Sequence, residues 1–360
     1  MAVEFILGRS GTGKTSWCIG SVVEALVAGN DDQPLILLVP EQATYQAERA
    51  ILSNDRIAGY SRLRVLSFDR LKFLLLGRQS AKSDISRLGQ EMIVGRILAK
   101  CGSELEVFGK AEHGQGLAAE LTKTIIELHE CAKSPSDVAE LAERMSSHED
   151  QAGGKFRDIS VIYQQYVEFI AGKFINPDIQ LSDAVKKVAE SEFLAGARIW
   201  VDGFASFTIQ QRDILIEMLK AASQASITLC LDADKIDVKN PSREGLDPLS
   251  MFGPTERSYA ELVEIILKCK LTLSKPIVLK KPLRFSQSPA LESIESDLFA
   301  TDIKAGACAN EDVSIIAAAN ARAEVNCIAE EIVRLVRKEG YRFRDIAVIA
   351  SDIGTYQHYI

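Results

Sequence analysis

The sequence predicts an α/β fold: a parallel sheet built around a phosphate-binding loop and interrupted by a large helical insertion. Three observations predict it. A complete Gly-x-x-x-x-Gly-Lys-Thr element, Gly8-Arg9-Ser10-Gly11-Thr12-Gly13-Lys14-Thr15, lies between an apolar run at 3–7 and a segment that can be helical at 15–28. Short apolar runs alternate with helix-period segments over 1–82 and again over 192–282. Between them, residues 83–191 carry helical periodicity with no convincing strand.

The elements follow in order. Residues 3–7 form the first strand, and glycines then let backbone N–H groups close around phosphate oxygens at a helix N-terminus. Lys14 is placed to reach the terminal phosphates of a nucleoside triphosphate, and the Thr15 hydroxyl to hold Mg²⁺. Residues 35–39, Leu-Ile-Leu-Leu-Val, read as a buried parallel strand ended by Pro40, with a helix over 42–52. A third strand at 64–67 precedes a helix at 68–76. The insertion then supplies helices at 88–98, 117–131, 138–145 and 156–174.

The α/β pattern resumes with a strand at 198–201, a helix at 208–222 and a strand at 227–231. Pro241, Gly245, Pro248, Gly253 and Pro254 mark a long surface loop over 236–256, followed by a helix at 257–268 and a short strand near 277–279. Residues 283–311 are polar and irregular and read as a connector. A new unit starts at 312, with strands at 313–317 and 346–350 around a helix at 322–338. One strand–helix–strand cannot cover a sheet on both faces, so the chain reads as part of a longer protein.

Composition narrows the function classes. With 47% hydrophobic and 26% charged residues the 360-residue chain is ordinary for a globular protein of about two domains. A net charge of −8 argues against wrapping nucleic acid with the whole surface, but leaves room for a local basic channel. No apolar run reaches membrane-span length and no basic leader precedes the first strand, so a cytoplasmic location with no membrane contact is expected. Seven scattered cysteines without a Cys-x-x-Cys pair read as small core residues, and His129-Glu130-Cys131 as neighbours on a helix that point in different directions.

The candidate partners of the phosphate loop sit at strand ends. Asp202, closing the strand at 198–201, is the expected Mg²⁺ carboxylate, with a strand-end turn before Gly203 as the simpler alternative. The position that normally orients the attacking water is Gly203, which has no side chain, so efficient hydrolysis is not expected. Val39-Pro40-Glu41-Gln42 and Val65-Leu66-Ser67-Phe68 also lie on the ligand side of such a sheet, where they meet nucleotide, DNA backbone, or simply start helices. Arg62, Arg64, Arg70, Lys72 and Arg78, with Phe68 and Phe73 among them, suit single-stranded nucleic acid and equally suit a solvated helix face over a core stripe. Asp232-Ala233-Asp234 reads as a turn with two solvated carboxylates.

Taken together, Glu4-Phe5-Ile6-Leu7 leading into Gly8–Thr15, Val39-Pro40-Glu41-Gln42, Ser67-Phe68, Val201-Asp202-Gly203-Phe204 with Phe207-Thr208, and Phe343-Arg344-Asp345-Ile346-Ala347-Val348 resemble the AddB family of bacterial helicase–nuclease subunits. The resemblance spans the chain. It implies a superfamily-one helicase-like region with two RecA-like domains and helical insertions, the second begun at 312–360. It also implies an AddA-type motor partner in a heterodimer, binding of DNA ends and single strands, and a downstream nuclease domain with an iron–sulfur cluster and a metal site. In such proteins the helicase-like region is held to scan single strands for the Chi sequence rather than to drive the motor.

Three features agree with a decayed motor. Gly203 stands where the family of motors has glutamate; the adenine-reading glutamine segment is expected to be missing, because the chain starts directly at the first strand; and the motif Gly-Asp-Xaa-Xaa-Gln reads Asp232-Ala233-Asp234-Lys235-Ile236. The intact loop argues that ATP and Mg²⁺ binding was kept. Two alternatives stay open: an active translocase with Glu41 as stand-in carboxylate, and a scaffold that nucleotide merely braces.

Overall fold

A computed structural model describes residues 2–28, 32–76, 85–110, 115–131, 133–145, 151–171, 180–299 and 312–360. Its chain divides into two compact units, Met1–Arg284 and Phe285–Ile360.

The first unit is organised by a parallel sheet. Its strands are β1 (Ala2–Gly8), β2 (Leu35–Leu38), β3 (Leu63–Leu66), β4 (Arg198–Val201), β5 (Gln224–Cys230), β6 (Thr272–Leu273) and β7 (Ile277–Val278). The order is β3-β2-β4-β5-β1, and β6 and β7 pair in succession along the outer side of β1. β5 therefore lies between the strand that carries the phosphate loop and the strand that ends at Asp202. The register Leu7↔Leu229 and Val201↔Ile227 brings the C-terminal ends of all three to one edge, the side on which open α/β sheets take ligands.

Alternating side chains give the sheet two dry faces. Helices α1 (Lys14–Val27) and α2 (Thr44–Leu52) cover one, where Cys18, Val22, Val23 and Ile51 meet Leu35, Leu37, Val65 and Trp200. The opposite face carries Phe5, Leu7, Ile36, Leu38, Ile199, Val201 and Ile227. It is covered by α3 (Phe68–Leu76), α8 (Gln180–Val188), α9 (Ile209–Ala221) and α10 (Gly253–Lys268). The near-continuous apolar runs of β2 and β4 are what two covered faces require.

Between α3 and α8 the chain forms α4 (Arg87–Cys101), α5 (Gln115–Glu130), α6 (Pro135–Met145) and α7 (Gln151–Ile170). These four have a core of their own, built on Val94, Ile97, Leu121, Ile125, Val138, Ile162, Tyr163 and Tyr166. The buried Asp158 of α7 accepts the backbone N–H groups of Glu106, Val107 and Phe108 at 2.8–2.9 Å and so pins the chain between α4 and α5. α8 differs from the expected layout. It lies within the stretch read as insertion, yet Ala184 and Val188 bury in the sheet's core, because its apolar face meets α3 and α9.

The second unit contains α11 (Pro289–Asp297), α12 (Ala321–Lys338) and α13 (Ile353–Tyr356). α11 is helix inside the expected irregular connector: Ser288 caps it by accepting the Leu291 N–H, and Pro289 occupies its first turn. α12 falls where periodicity puts it. The strands expected at 313–317 and 346–350 are not formed. Both segments lack ladder partners among the described residues, and Ile315 and Ile349 are more than nine-tenths exposed. β-branched sequence alone does not make a strand without a neighbour to pair with.

Candidate functional site

The chain leaves β1 at Gly8 and turns through Gly11 and Gly13, both at positive φ (72° and 92°), before α1 starts at Lys14. Gly8 is required by space: a Cβ there would stand 2.5 Å from the Leu279 carbonyl oxygen and 2.6 Å from Thr12 Oγ1. Lys14 folds back over the loop. Its Nζ donates to the carbonyls of Gly8 (2.8 Å) and Arg9 (2.7 Å). The Arg9 carbonyl also accepts the Thr12 hydroxyl at 2.9 Å. The ammonium is thus anchored at the mouth of a ring of backbone groups at a helix N-terminus, the arrangement that binds anionic phosphate oxygens.

Asp202 follows β4 with its backbone N–H on the Leu38 carbonyl at 3.0 Å. Alternation from Trp200, which packs on the α1 side, puts Asp202 on that same side. Two observations agree. Thr228 of β5 donates its hydroxyl to Asp202 Oδ1, and burial together with the Asp202 charge raises the Cys18 thiol above its ordinary pKa. Cys18 is one helical turn beyond Thr15, so Asp202 lies beneath the first turn of α1, where Thr15 is exposed. Only 7% exposed and hydrogen-bonded to the neutral Thr228 hydroxyl, this carboxylate is a fitting second-sphere or direct partner for a divalent cation. The cradle left open by Gly8, the anchored Lys14 and the buried Asp202 fit a Mg²⁺-nucleotide.

Gly203 comes next, at φ 85° and with the position of a Cβ 3.2 Å from Pro40 Cδ. Its backbone is left-handed, a region that ordinary L-residues enter at a cost of about 1–2 kcal/mol. The turn after β4 therefore lacks a carboxylate and is shaped against one. Glu41, the stand-in, is already engaged: Ser67 donates its hydroxyl to Oε2, and Arg70 sits 3.6 Å from Oε1.

The other expected residues are partly redistributed. Asp232 and Asp234 do form a turn, in which the Asp234 N–H binds Asp232 Oδ1 at 3.1 Å. Asp232 is not solvated, however; it is 8% exposed and paired with Arg9 at 3.1 Å. The basic stretch is not one surface. The Arg62 guanidinium caps α1 through the Ala25 and Leu26 carbonyls, Phe68 is core, Arg64 covers the Phe193 ring, Lys72 pairs with Asp69, and Arg78 lies outside the described residues. Phe73 remains exposed, as does Tyr45 at the start of α2.

Sequence reading missed the segment after β7. The Arg284 N–H donates to the Gly11 carbonyl at 3.0 Å, and Leu283 Cδ1 lies 3.2 Å from where a Gly13 Cβ would be. The only sequence signal was basic residues in a stretch that otherwise reads as linker.

Comparison with known proteins agrees with this geometry. The family model described as "ADDB, N-terminal" matches residues 5–295. The chain is 35% identical over its full length to a Desulforudis audaxviator protein, and 33% identical over 98% of its length to one from Symbiobacterium thermophilum. A Clostridium tetani protein is 32% identical over the full length. Each of the three is named as the AddB-type second component of an ATP-dependent helicase/deoxyribonuclease, and the chain spans about 31% of the length of each. A parallel sheet with the phosphate loop at its ligand edge, a helical insertion, and a family match over most of the chain lead to one conclusion: this chain belongs to the AddB N-terminal family.

Proposed function

We propose that the chain is the ATP-binding, DNA-contacting N-terminal part of an AddB-type helicase/deoxyribonuclease subunit, acting in double-strand break repair as a nucleotide clamp and not as a motor. The sheet is the first RecA-like domain (1–82 and 192–282), residues 83–191 its helical insertion, 283–311 a connector, and 312–360 the start of a second RecA-like domain. Backbone N–H groups of Gly8–Thr15 hold the triphosphate, Lys14 neutralises its terminal charge, and Thr15 and Asp202 serve Mg²⁺. The cation's own contribution is to draw negative charge off the phosphate oxygens.

The observation that carries the reading is the turn after β4. A left-handed Gly203 against Pro40 supplies no group to orient a water, while the loop after β1 keeps every binding feature. Glu41 as a replacement base is disfavoured by its ties to Ser67 and Arg70. On this reading an AddA-type subunit drives translocation in the cytoplasm, and this region contacts single-stranded DNA, scanning for Chi. Tyr45 and Phe73, exposed on the helices that follow β2 and β3, offer stacking faces for unpaired bases. Nuclease and iron–sulfur chemistry belong to the longer protein.

The test is nucleotide and DNA binding by the 360-residue chain beside ATP hydrolysis. Micromolar Mg²⁺-ATP binding with salt-sensitive binding of an oligothymidine strand, and without DNA-stimulated turnover, is expected. Robust turnover that Lys14→Ala abolishes establishes a motor instead; absence of strand binding at low salt establishes a scaffold.

A further inference from the structure

Arg9 occupies the second position of the phosphate loop, and its two ends do different things. Its carbonyl is the hub of the loop, accepting Lys14 Nζ at 2.7 Å and Thr12 Oγ1 at 2.9 Å. Its guanidinium leaves the loop altogether and reaches the long segment between β5 and α10. There Nη1 donates to Asp232 Oδ2 at 3.1 Å, and the cation stands over the Phe252 ring, 5.5 Å from its centroid.

Asp232 opens that segment and Phe252 closes it, at the N-cap of α10. One side chain therefore gathers both ends of a loop of about twenty residues whose tip carries the exposed Leu249 and Met251. The first end is fixed further: Asp232 Oδ1 accepts the Asp234 N–H, and the Leu231 N–H donates to the Gly8 carbonyl at 3.2 Å. The Arg9 and Asp232 side chains are 24% and 11% exposed, so their attraction is less screened than that of a surface pair. Arg9 and Phe252 add a cation–π contact that only a flat guanidinium makes well.

We infer that Arg9 is a clasp joining the phosphate loop to the 233–251 loop, so that nucleotide held on Lys14 changes the order of that loop. The inference rests on the phosphate loop being a nucleotide site. Its physical route is short. Any shift of the Arg9 carbonyl as Lys14 turns to phosphate moves the guanidinium attached to the same residue, and the guanidinium holds both ends of the loop. The reverse also follows from linkage: what tightens the loop tightens nucleotide binding. Arg9 is on this account a positioning residue whose side chain does not touch phosphate.

The experiment uses the 360-residue chain, N-methylanthraniloyl-ATP with Mg²⁺ as probe, and amide hydrogen exchange over 233–251. Wild type is expected to bind the probe and to slow exchange in that loop when it does. Asp232→Asn should weaken binding about ten-fold and remove the nucleotide-linked slowing. The exchanged pair Arg9→Asp with Asp232→Arg should restore much of the slowing, a rescue that general destabilisation does not give. Wild type that binds the probe with no change in loop exchange overturns the clasp alone. So does Asp232→Asn that binds equally well or more tightly, because a freed Arg9 then acts as a phosphate ligand. Wild type that binds no probe, like Lys14→Ala, overturns the nucleotide reading and the clasp with it.

Discussion

The ends of β1 and β4 stand one strand apart at the same edge of the sheet, and they are built to opposite standards. After β1, each position carries a visible reason: Gly8 leaves room against Leu279, Gly11 and Gly13 adopt positive φ, and Lys14 is anchored by two carbonyls. After β4, Asp202 is kept, buried and hydrogen-bonded, but Gly203 replaces the next side chain with a left-handed turn against Pro40. Binding and chemistry are separable at the level of single residues. A site can keep its phosphate cradle while the group that would activate water is lost.

The largest effects should come from breaking the first of these ends. Lys14→Ala removes the side-chain cation anchored on the loop's own carbonyls, and nucleotide affinity is expected to fall at least 100-fold in a fluorescence titration, roughly 3 kcal/mol. Gly8→Ala should match that loss and also lower stability by several kcal/mol, since the added carbon meets a backbone oxygen that has no rotamer to yield. Thermal melts distinguish the two variants: only Gly8→Ala should melt early.

The second end sharpens the comparison. Gly203→Glu restores the missing carboxylate in the chemical sense, yet it forces a side chain into left-handed backbone. We expect a loss of about 1–2 kcal/mol in denaturant unfolding and no gain of ATP turnover. Appreciable turnover in this variant would mean that one missing group, not the shape of the turn, silences the site.

Smaller effects lie in the helical insertion, which should leave nucleotide binding untouched. Asp158→Ala strands three buried N–H groups and should cost about 3 kcal/mol of insertion stability, read as faster hydrogen exchange over 104–108. His129 is buried with Nδ1 3.0 Å from the Tyr163 hydroxyl, and burial lowers its pKa from 6.5 to about 4. Its folded value is depressed, so the unfolded chain takes up the proton first as pH falls. Stability from this group is complete above pH 6.5 and is lost progressively down to about pH 4. His129→Gln should flatten that part of the pH–stability curve without changing affinity for nucleotide at neutral pH.

Much of this was legible in the chain itself, and the reasons differ by residue. The phosphate loop, the helix after it and the four-residue core strands are local: glycine placement and apolar runs specify them without help. Asp202 was legible because it ends such a run. Its neighbour Thr228 was not, since only the sheet order brings β5 between β1 and β4. Asp232 looked solvated for the same reason, its partner Arg9 being 223 positions away. The segments 313–317 and 346–350 have strand-like sequence and no ladder among the described residues, which shows how far strand formation depends on a neighbour. Arg284, lying over Gly11, carries no recognisable motif, because its contact is made by a backbone N–H.

The central claim, a site that binds without turning over, is tested most directly by single-turnover incubation of γ-labelled ATP with excess 360-residue chain, Mg²⁺ and single-stranded DNA. The account predicts that the label binds stoichiometrically and is recovered as intact ATP after an hour. Release of labelled phosphate within seconds, abolished by Lys14→Ala, would contradict it.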